Sequence, residues 1–209
     1  MDTYEFLVLP FVEIEIRLGT IMKNKFDSSV DKKYFEKIKE MLESGVWKCI
    51  VNKNTVEYIQ SNDKNKSKLI TDITDDSNKS ELIHKENVFT EDFQLNDSPF
   101  DVRYSINQEF KLNSQINLFS KNNSVVRNKS RKSFIHSDFR YDLTIVNETI
   151  GGVSRAKYEI EIELLVNSDT LNWSKKYTNE FLECKIYDIV NMVEPIPRDK
   201  FKINLIKMK

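Results

Sequence analysis

Two stretches decide the fold, residues 12–19 (VEIEIRLG) and residues 157–165 (KYEIEIELL). In both, charged and apolar residues alternate, which is the period of a β-strand with two different faces. Three successive positions on one face of each stretch are charged: Glu13, Glu15 and Arg17 in the first, and Glu159, Glu161 and Glu163 in the second. Same-face neighbours on a strand lie about 7 Å apart, so three carboxylates in a row repel each other. An ordinary solvated strand would interrupt such a row with Lys or Thr.

A third stretch has the opposite sign. Residues 125–134 (VVRNKSRKSF) place Arg127, Lys129 and Arg131 on one face, and residues 101–110 (DVRYSINQEF) add Arg103. A single alternating strand is most often a plain surface strand. The separation of acidic and basic residues onto different strands is more informative. A site for a metal and a polyanion needs acids to hold the cation and bases to hold the anion.

The opposite faces of these strands are apolar: Ile14, Ile16 and Leu18; Val102, Tyr104 and Ile106; Ile160, Ile162 and Leu164. If the charged faces line a closed barrel, the apolar faces point outward and need a cover. Helical spacing over residues 31–44 and near residues 180–192 supplies candidates for it. The pattern predicts a mainly β (α+β) fold with about two covering helices, and it is consistent with an eight-stranded barrel that has a charged interior.

The remaining segments are also dominated by the strand period. Gly19 is predicted to end the first strand, and Asn52–Lys53–Asn54 to form the turn of a hairpin. Polar runs at residues 61–68 and 74–80 are predicted to be surface loops. Further strands are expected at residues 68–73, 81–88, 101–110, 124–135, 139–146 and 157–166.

The amino-acid composition excludes several classes of protein. The chain has 209 residues, and its 32 Lys and Arg balance 33 Asp and Glu to a formal net charge of −1. Binding to DNA or to a membrane through overall charge is therefore not expected. Cys49 and Cys184 lie far apart, which excludes a disulfide scaffold and a zinc knuckle. No targeting or transmembrane segment is evident, so we expect an intracellular protein.

The length predicts one domain over residues 1–209. Residues 194–201 (EPIPRDKF) leave two alternatives open: a link to a further domain after about residue 194, or a last turn before an edge strand.

The residue types in the predicted barrel point to phosphoryl chemistry. Carboxylates without Cys or paired His nearby suit a hard cation, Mg²⁺ or Mn²⁺. Rows of Arg and Lys opposite such a cation suit phosphoryl transfer, because charge develops on the phosphate oxygens. A substrate with several phosphates in a line would match side chains at strand spacing.

The chain resembles the triphosphate tunnel metalloenzymes, and among them the metal-dependent RNA triphosphatases of fungal and large DNA virus mRNA capping systems. Five motifs appear in the family's order: VEIEIRLG, DVRYSIN at residues 101–107, RNKSRKS at 127–133, YDLT at 141–144 and YEIEIEL at 158–164. Each motif alone is weak. Together they cover most of residues 11–166 and form a fairly specific signal.

The resemblance implies an eight-stranded antiparallel tunnel barrel and a role for each inward residue. Glu13, Glu15 and Glu163 would ligate the metal. Phosphate contacts would come from Arg103, Arg127, Lys129 and Arg131, and with the ligands and Glu161 these form the expected catalytic set. Support would come from Arg17, Asp142, Thr144 and Glu159. Glu109 is a candidate to orient the attacking water, and residues 46–98 receive no assignment.

The resemblance also implies the reaction, in which the γ-phosphate of triphosphate-ended RNA is hydrolysed to leave a diphosphate end, the first step of mRNA capping. A guanylyltransferase or a larger capping enzyme would be the partner, in the nucleus or cytoplasm, or in the host cytoplasm if the protein is viral. Two alternatives stay open: a nucleoside triphosphate or inorganic polyphosphate hydrolase, and a non-catalytic phosphate-binding module. Inward carboxylates argue against the module, because a binder of polyanions gains nothing from them.

Overall fold

The computed structural model describes residues 6–62, 65–75, 78–119, 124–150 and 153–205. Within these residues the chain forms ten strands and two α-helices. Their bounds are β1 Val12–Met22, β2 Lys25–Asp27, α1 Lys32–Glu43, β3 Cys49–Asn62, β4 Asn65–Asp72, β5 Ser80–Leu95, β6 Asp101–Lys111, β7 Val125–Ile135, β8 Phe139–Ile150, β9 Val153–Leu164, α2 Lys175–Asn191 and β10 Ile203–Leu205.

Eight of the strands close into an antiparallel barrel in the order β1-β6-β5-β4-β3-β7-β8-β9. β1 closes the ring, since it pairs with β6 on one side and with β9 on the other. The short strands lie outside the ring, β2 on the end of β1 and β10 on β5. The predicted eight-stranded antiparallel barrel is confirmed.

The outward faces of the strands are covered by the two helices. Tyr104, Ile160 and the other apolar residues of these faces are buried in one continuous core. Asp31 caps the N-terminus of α1, where its carboxylate accepts a hydrogen bond from the backbone N–H of Lys33 at 2.8 Å. It buries Phe35, whose ring lies 5.2 Å from that of Tyr158 on β9. Each such buried side chain contributes about 1.5–3 kcal/mol.

The other helix, α2, lies against β8 and β9 and starts earlier than its apolar spacing suggested. Ser174 caps it by accepting a hydrogen bond from the backbone N–H of Tyr177, and Leu182 and Ile186 are buried beneath it. Both predicted covering helices are present.

The predicted hairpin at Asn52–Lys53–Asn54 is wrong, because β3 runs unbroken through these residues. Asn52 pairs with Lys132, and Asn54 with Ser130, in a register that continues along β7. A long neighbouring strand thus overrides the turn preference of two asparagines. The predicted loop over residues 61–68 is also partly wrong, since β4 begins at Asn65.

Gly19 does not end the first strand, which continues to Met22. A Cβ atom at position 19 would lie 2.6 Å from the Phe26 ring and would collide with the carbonyl oxygen of Asp27. Gly19 is therefore needed for the close approach of β2 to the charged face of β1.

Residues 194–201 pack back onto α2. The Tyr187 hydroxyl donates a hydrogen bond to the Ile196 carbonyl at 2.9 Å, and its ring lies 5.2 Å from that of Phe201. β10 then pairs with β5. A further domain after about residue 194 stays a prediction. In the described part of the chain, no helix has the length and apolar character needed to cross a bilayer.

Candidate active site

The charged faces line the inside of the barrel. Arg131 on β7 reaches over β8 to Glu161 on β9, where the nitrogen and oxygen lie 3.0 Å apart. Lys85 on β5 likewise reaches over β6 to Glu15 on β1, at 3.4 Å. Contacts that pass over an intervening strand are favoured on the concave side of a curved sheet, so the two signs predicted from sequence meet inside the bore.

Glu161 lies between two guanidinium groups. Arg17 Nε is 2.9 Å from one of its oxygens, and Arg131 Nη2 is 3.0 Å from the other. Burial acts to raise the pKa of Glu161, but the positive charges of Arg17 and Arg131 outweigh it and hold the pKa well below its usual range. Arg131 also contacts Asp142 at 2.9 Å and donates to the Thr144 hydroxyl at 3.0 Å. Asp142 and Thr144 therefore fix the orientation of this arginine.

Glu163, two residues along the same face, has a different environment. Its ion pair is with Arg140 at 2.5 Å, and Arg140 also contacts Asp142 at 3.0 Å. Burial raises the pKa of Glu163 to about 8, against the charge of Arg140 and with help from the carboxylates of Glu13 and Asp142. Negative charge at this end of the row is incompletely neutralised.

The β1 carboxylates share one ammonium. Lys85 contacts both Glu13 and Glu15, and Glu15 also lies 3.1 Å from Arg17. Burial and the neighbouring Glu15 raise the pKa of Glu13. Burial also acts to raise the pKa of Glu15, but Arg17 and Lys85 lower it below its usual value. Asn107 donates a further hydrogen bond to Glu15 at 3.2 Å.

The residues expected to ligate a metal fit a hard cation in their chemistry. Pairing of β1 with β9 places Glu15 directly opposite Glu163, and Glu13 is the next inward residue of β1. All three donors are carboxylates. Burial, and after it the neighbouring carboxylates, raise the pKa of Glu13 and of Glu163, and a divalent cation bound here would favour their ionised forms. Among the described residues, no three acidic, His or Cys side chains already converge on a common centre.

The basic strand β7 presents its three cations to the bore, each with a carboxylate. Arg127 lies 2.6 Å from Glu159 and 3.2 Å from Glu148. Lys129 lies 3.0 Å from Glu57. Burial lowers the pKa of Lys129, and the charge of Glu57 opposes this. These bases are therefore held in place by acids before any phosphate binds.

Arg103 is separate from this group. Its guanidinium makes two contacts with Asp92, at 2.7 and 2.9 Å, and lies 4.7 Å from the centre of the Phe26 ring. Its expected phosphate contact stays a prediction. Glu109, the candidate to orient water, lies 3.2 Å from Lys68 and 3.4 Å from Lys85.

Several inward residues were not predicted: Glu57, Lys68, Lys85, Asp92, Arg140 and Glu148. Arg140 could have been found, because it shares a face with Asp142 under the strand period. The inward residues of β5 could not be predicted in the same way, because the register shifts between Asn87 and Phe89 and breaks the alternation.

Comparisons with known proteins agree with this geometry. The family model described as "mRNA capping enzyme, beta chain" matches residues 12–198. The S. pombe Pct1 RNA triphosphatase structure is similar to the chain with a TM-score of 0.71 and 17% identity, covering 93% of this chain and 90% of that one. The structure of the same protein in complex with the Spt5 CTD is similar with a TM-score of 0.70 and 16% identity, covering 93% of this chain and 91% of that one.

A viral structure is similar as well. The Mimivirus capping enzyme triphosphatase matches with a TM-score of 0.56 and 17% identity, covering 85% of this chain and 91% of that one. Among curated protein sequences, none matches the chain.

Proposed function

Because the chain belongs to the family of the mRNA capping enzyme beta chain, we propose that it hydrolyses the γ-phosphate of triphosphate-ended RNA to leave a diphosphate end. One observation carries the proposal: rows of buried acids and bases face each other inside a closed barrel, and the family match at residues 12–198 includes all eight barrel strands. Since capping acts on nascent RNA, the proposal places the protein inside the cell with a guanylyltransferase as partner.

The basic residues would bind and stabilise the phosphates. Arg127, Lys129 and Arg131 present positive charge from one strand, so a linear triphosphate can contact them in turn. Charge that develops on phosphate oxygens in the transition state is stabilised best by donors that are already oriented. Asp142 and Glu161 orient Arg131 in this way.

The acidic residues at the other side would hold the cation. Glu13, Glu15 and Glu163 would bind Mg²⁺ or Mn²⁺, which would neutralise negative charge on the γ-phosphate. Glu109, which pairs with Lys68 and Lys85, would orient the attacking water. No side chain needs to form a covalent bond to phosphorus.

The test uses RNA labelled at the γ-phosphate or at the α-phosphate, incubated with the chain and Mg²⁺ or Mn²⁺. The proposal expects release of label from the γ-position alone, and faster release from RNA than from ATP or inorganic tripolyphosphate. Release that is faster from ATP or tripolyphosphate would favour the nucleotide or polyphosphate hydrolase instead. Binding without release would favour the non-catalytic module.

Two neighbouring residues supply a matched control. Arg131 faces the bore, whereas Lys132 faces outward and pairs with Glu43 on α1 at 2.6 Å. Arg131→Ala should slow release by about 10²–10³-fold, the usual loss for one oriented donor. Lys132→Ala should release phosphate at the parental rate. Equal losses in both variants would contradict catalysis inside the barrel.

A further inference from the structure

Lys85 on β5 is a buried cation to which neither the sequence nor the proposed reaction gives a role of its own. Only 10% of its side chain is exposed, and its ammonium contacts carboxylates from two other strands, Glu13 and Glu15 of β1 and Glu109 of β6. It is the one cation within ion-pair distance of Glu13 among the described residues. Lys85 therefore neutralises the same carboxylates that would hold the metal.

The other cations around these carboxylates are guanidinium groups that each bridge two carboxylates. Arg17 bridges Glu15 and Glu161, and Arg140 bridges Glu163 and Asp142. A guanidinium held by two carboxylates keeps a set geometry, whereas an ammonium is a compact charge on a flexible stem. Lys85 is thus the cation that can leave Glu13 and Glu15 most readily, and Glu109, its third partner, keeps its ion pair with Lys68.

We propose that Lys85 is the counter-cation of Glu13 and Glu15 in the metal-free protein, that a divalent cation displaces its ammonium, and that the displaced ammonium then binds the phosphates of the substrate. An ammonium and a divalent cation on the two carboxylates repel each other and compete for oxygen lone pairs, so binding of one disfavours binding of the other. Metal binding would therefore make one more positive charge available to the triphosphate. This inference rests on the proposed function and its metal ligands.

Displacement has a thermodynamic consequence. A side chain that competes with the metal weakens metal binding, and one that moves onto phosphate strengthens phosphate binding only when the metal is present. Removing Lys85 should then strengthen metal binding and weaken phosphate binding in the presence of metal. A lysine that merely oriented the carboxylates would have the opposite effect on metal affinity.

The experiment measures Mn²⁺ binding by titration calorimetry in the absence of substrate, using the parent chain and Lys85→Met. We expect Lys85→Met to bind Mn²⁺ about tenfold more tightly. Its affinity for imidotriphosphate, measured at saturating Mn²⁺, should fall by about tenfold. Lys132→Met is the control, because Lys132 faces outward, pairs with Glu43 on α1 and makes no ion pair with Glu13 or Glu15. It should bind Mn²⁺ as the parent does.

Melting in EDTA supplies a readout that is independent of activity. Lys85→Met should melt below the parent without metal and recover more than the parent when Mn²⁺ is added. If it does not fold in EDTA, Lys85→Gln is titrated in its place with the same expectation. Unchanged or weaker Mn²⁺ binding in the variant, or no Mn²⁺ binding by the parent, would overturn the inference. The proposed function fails by a different result, namely that the parent chain releases no γ-phosphate.

Discussion

Glu161 and Glu163 lie on the same face of β9, two residues apart, and yet they have opposite electrostatic environments. Glu161 is held between Arg17 and Arg131, and its pKa is lowered. Glu163 shares Arg140 with Asp142, and its pKa is raised to about 8. The middle of the bore is therefore balanced in charge, whereas the end near Glu163 has an excess of acid. A bound divalent cation would therefore stabilise the ionised carboxylates more at the end near Glu163 than in the middle of the bore.

The largest expected effect is the loss of activity when the acid-rich end loses a ligand. Glu15→Gln should lower γ-phosphate release by about three orders of magnitude or more, since one carboxylate charge on the cation is lost. EDTA should abolish release by the parent, and Mg²⁺ or Mn²⁺ should restore it. Glu86→Gln, on the outer side of β5, is the control and should leave turnover unchanged. Full parental activity in EDTA would contradict the account.

Glu163→Ala should separate an enzyme from a binder of polyanions. Its γ-phosphate release should fall by at least about 10²-fold, because the cation that neutralises the phosphate is lost. Affinity for triphosphate-ended RNA in EDTA should hold or rise, since a repelling carboxylate is gone. Glu183→Ala, on the exposed surface of α2, should change neither quantity. Near-parental release by Glu163→Ala would exclude the proposed role of Glu163.

Three strands, β1, β7 and β9, could be placed in the barrel from the sequence alone. Alternation in β1, β7 and β9 was regular and sorted by sign, so Glu161 and Arg131 could be placed inside a barrel before any contact was known. The row of carboxylates in β9 was expected to repel itself. Instead, every member has a guanidinium partner: Arg127 for Glu159, Arg17 and Arg131 for Glu161, and Arg140 for Glu163.

Residues 46–98 were the part that the sequence could not assign. Lys85 lies in a strand with a shifted register, and Glu57 lies in a strand with a misleading pair of asparagines. Which acid contacts which base also depends on barrel curvature, because Arg131 and Lys85 both reach over an intervening strand. Local patterns carry no information on such contacts.

A substitution in the middle of the bore, at Glu161, should lower the free energy of unfolding more than one at Glu163. In EDTA, Glu161→Gln should lose about 2–4 kcal/mol of unfolding free energy, because Arg17 and Arg131 are left without their shared carboxylate. Glu163→Gln should melt no lower than the parent, since it removes charge from the acid-rich end. Thermal melts of both variants in the same buffer test this. A larger loss in Glu163→Gln would reverse the comparison.

The smallest effect should come from Thr144, which is buried and accepts a hydrogen bond from Arg131. Thr144→Val keeps the shape of the side chain and removes the acceptor. We expect a loss of about 1 kcal/mol in unfolding free energy, and about a tenfold loss in turnover as Arg131 becomes less well oriented. Denaturant titration and phosphate release measure the two. An unchanged turnover would show that Asp142 and Glu161 orient Arg131 without help.

The most direct test of the central claim, that the protein's acid-rich end holds the cation, is a crystal of the chain soaked in Mn²⁺ and measured for anomalous scattering. The account predicts one strong peak within coordination distance of the carboxylates of Glu13, Glu15 and Glu163, with the Lys85 ammonium moved away from it. A peak beside Glu161 and Asp142, or a bore without any peak at a Mn²⁺ concentration that supports turnover, would contradict it.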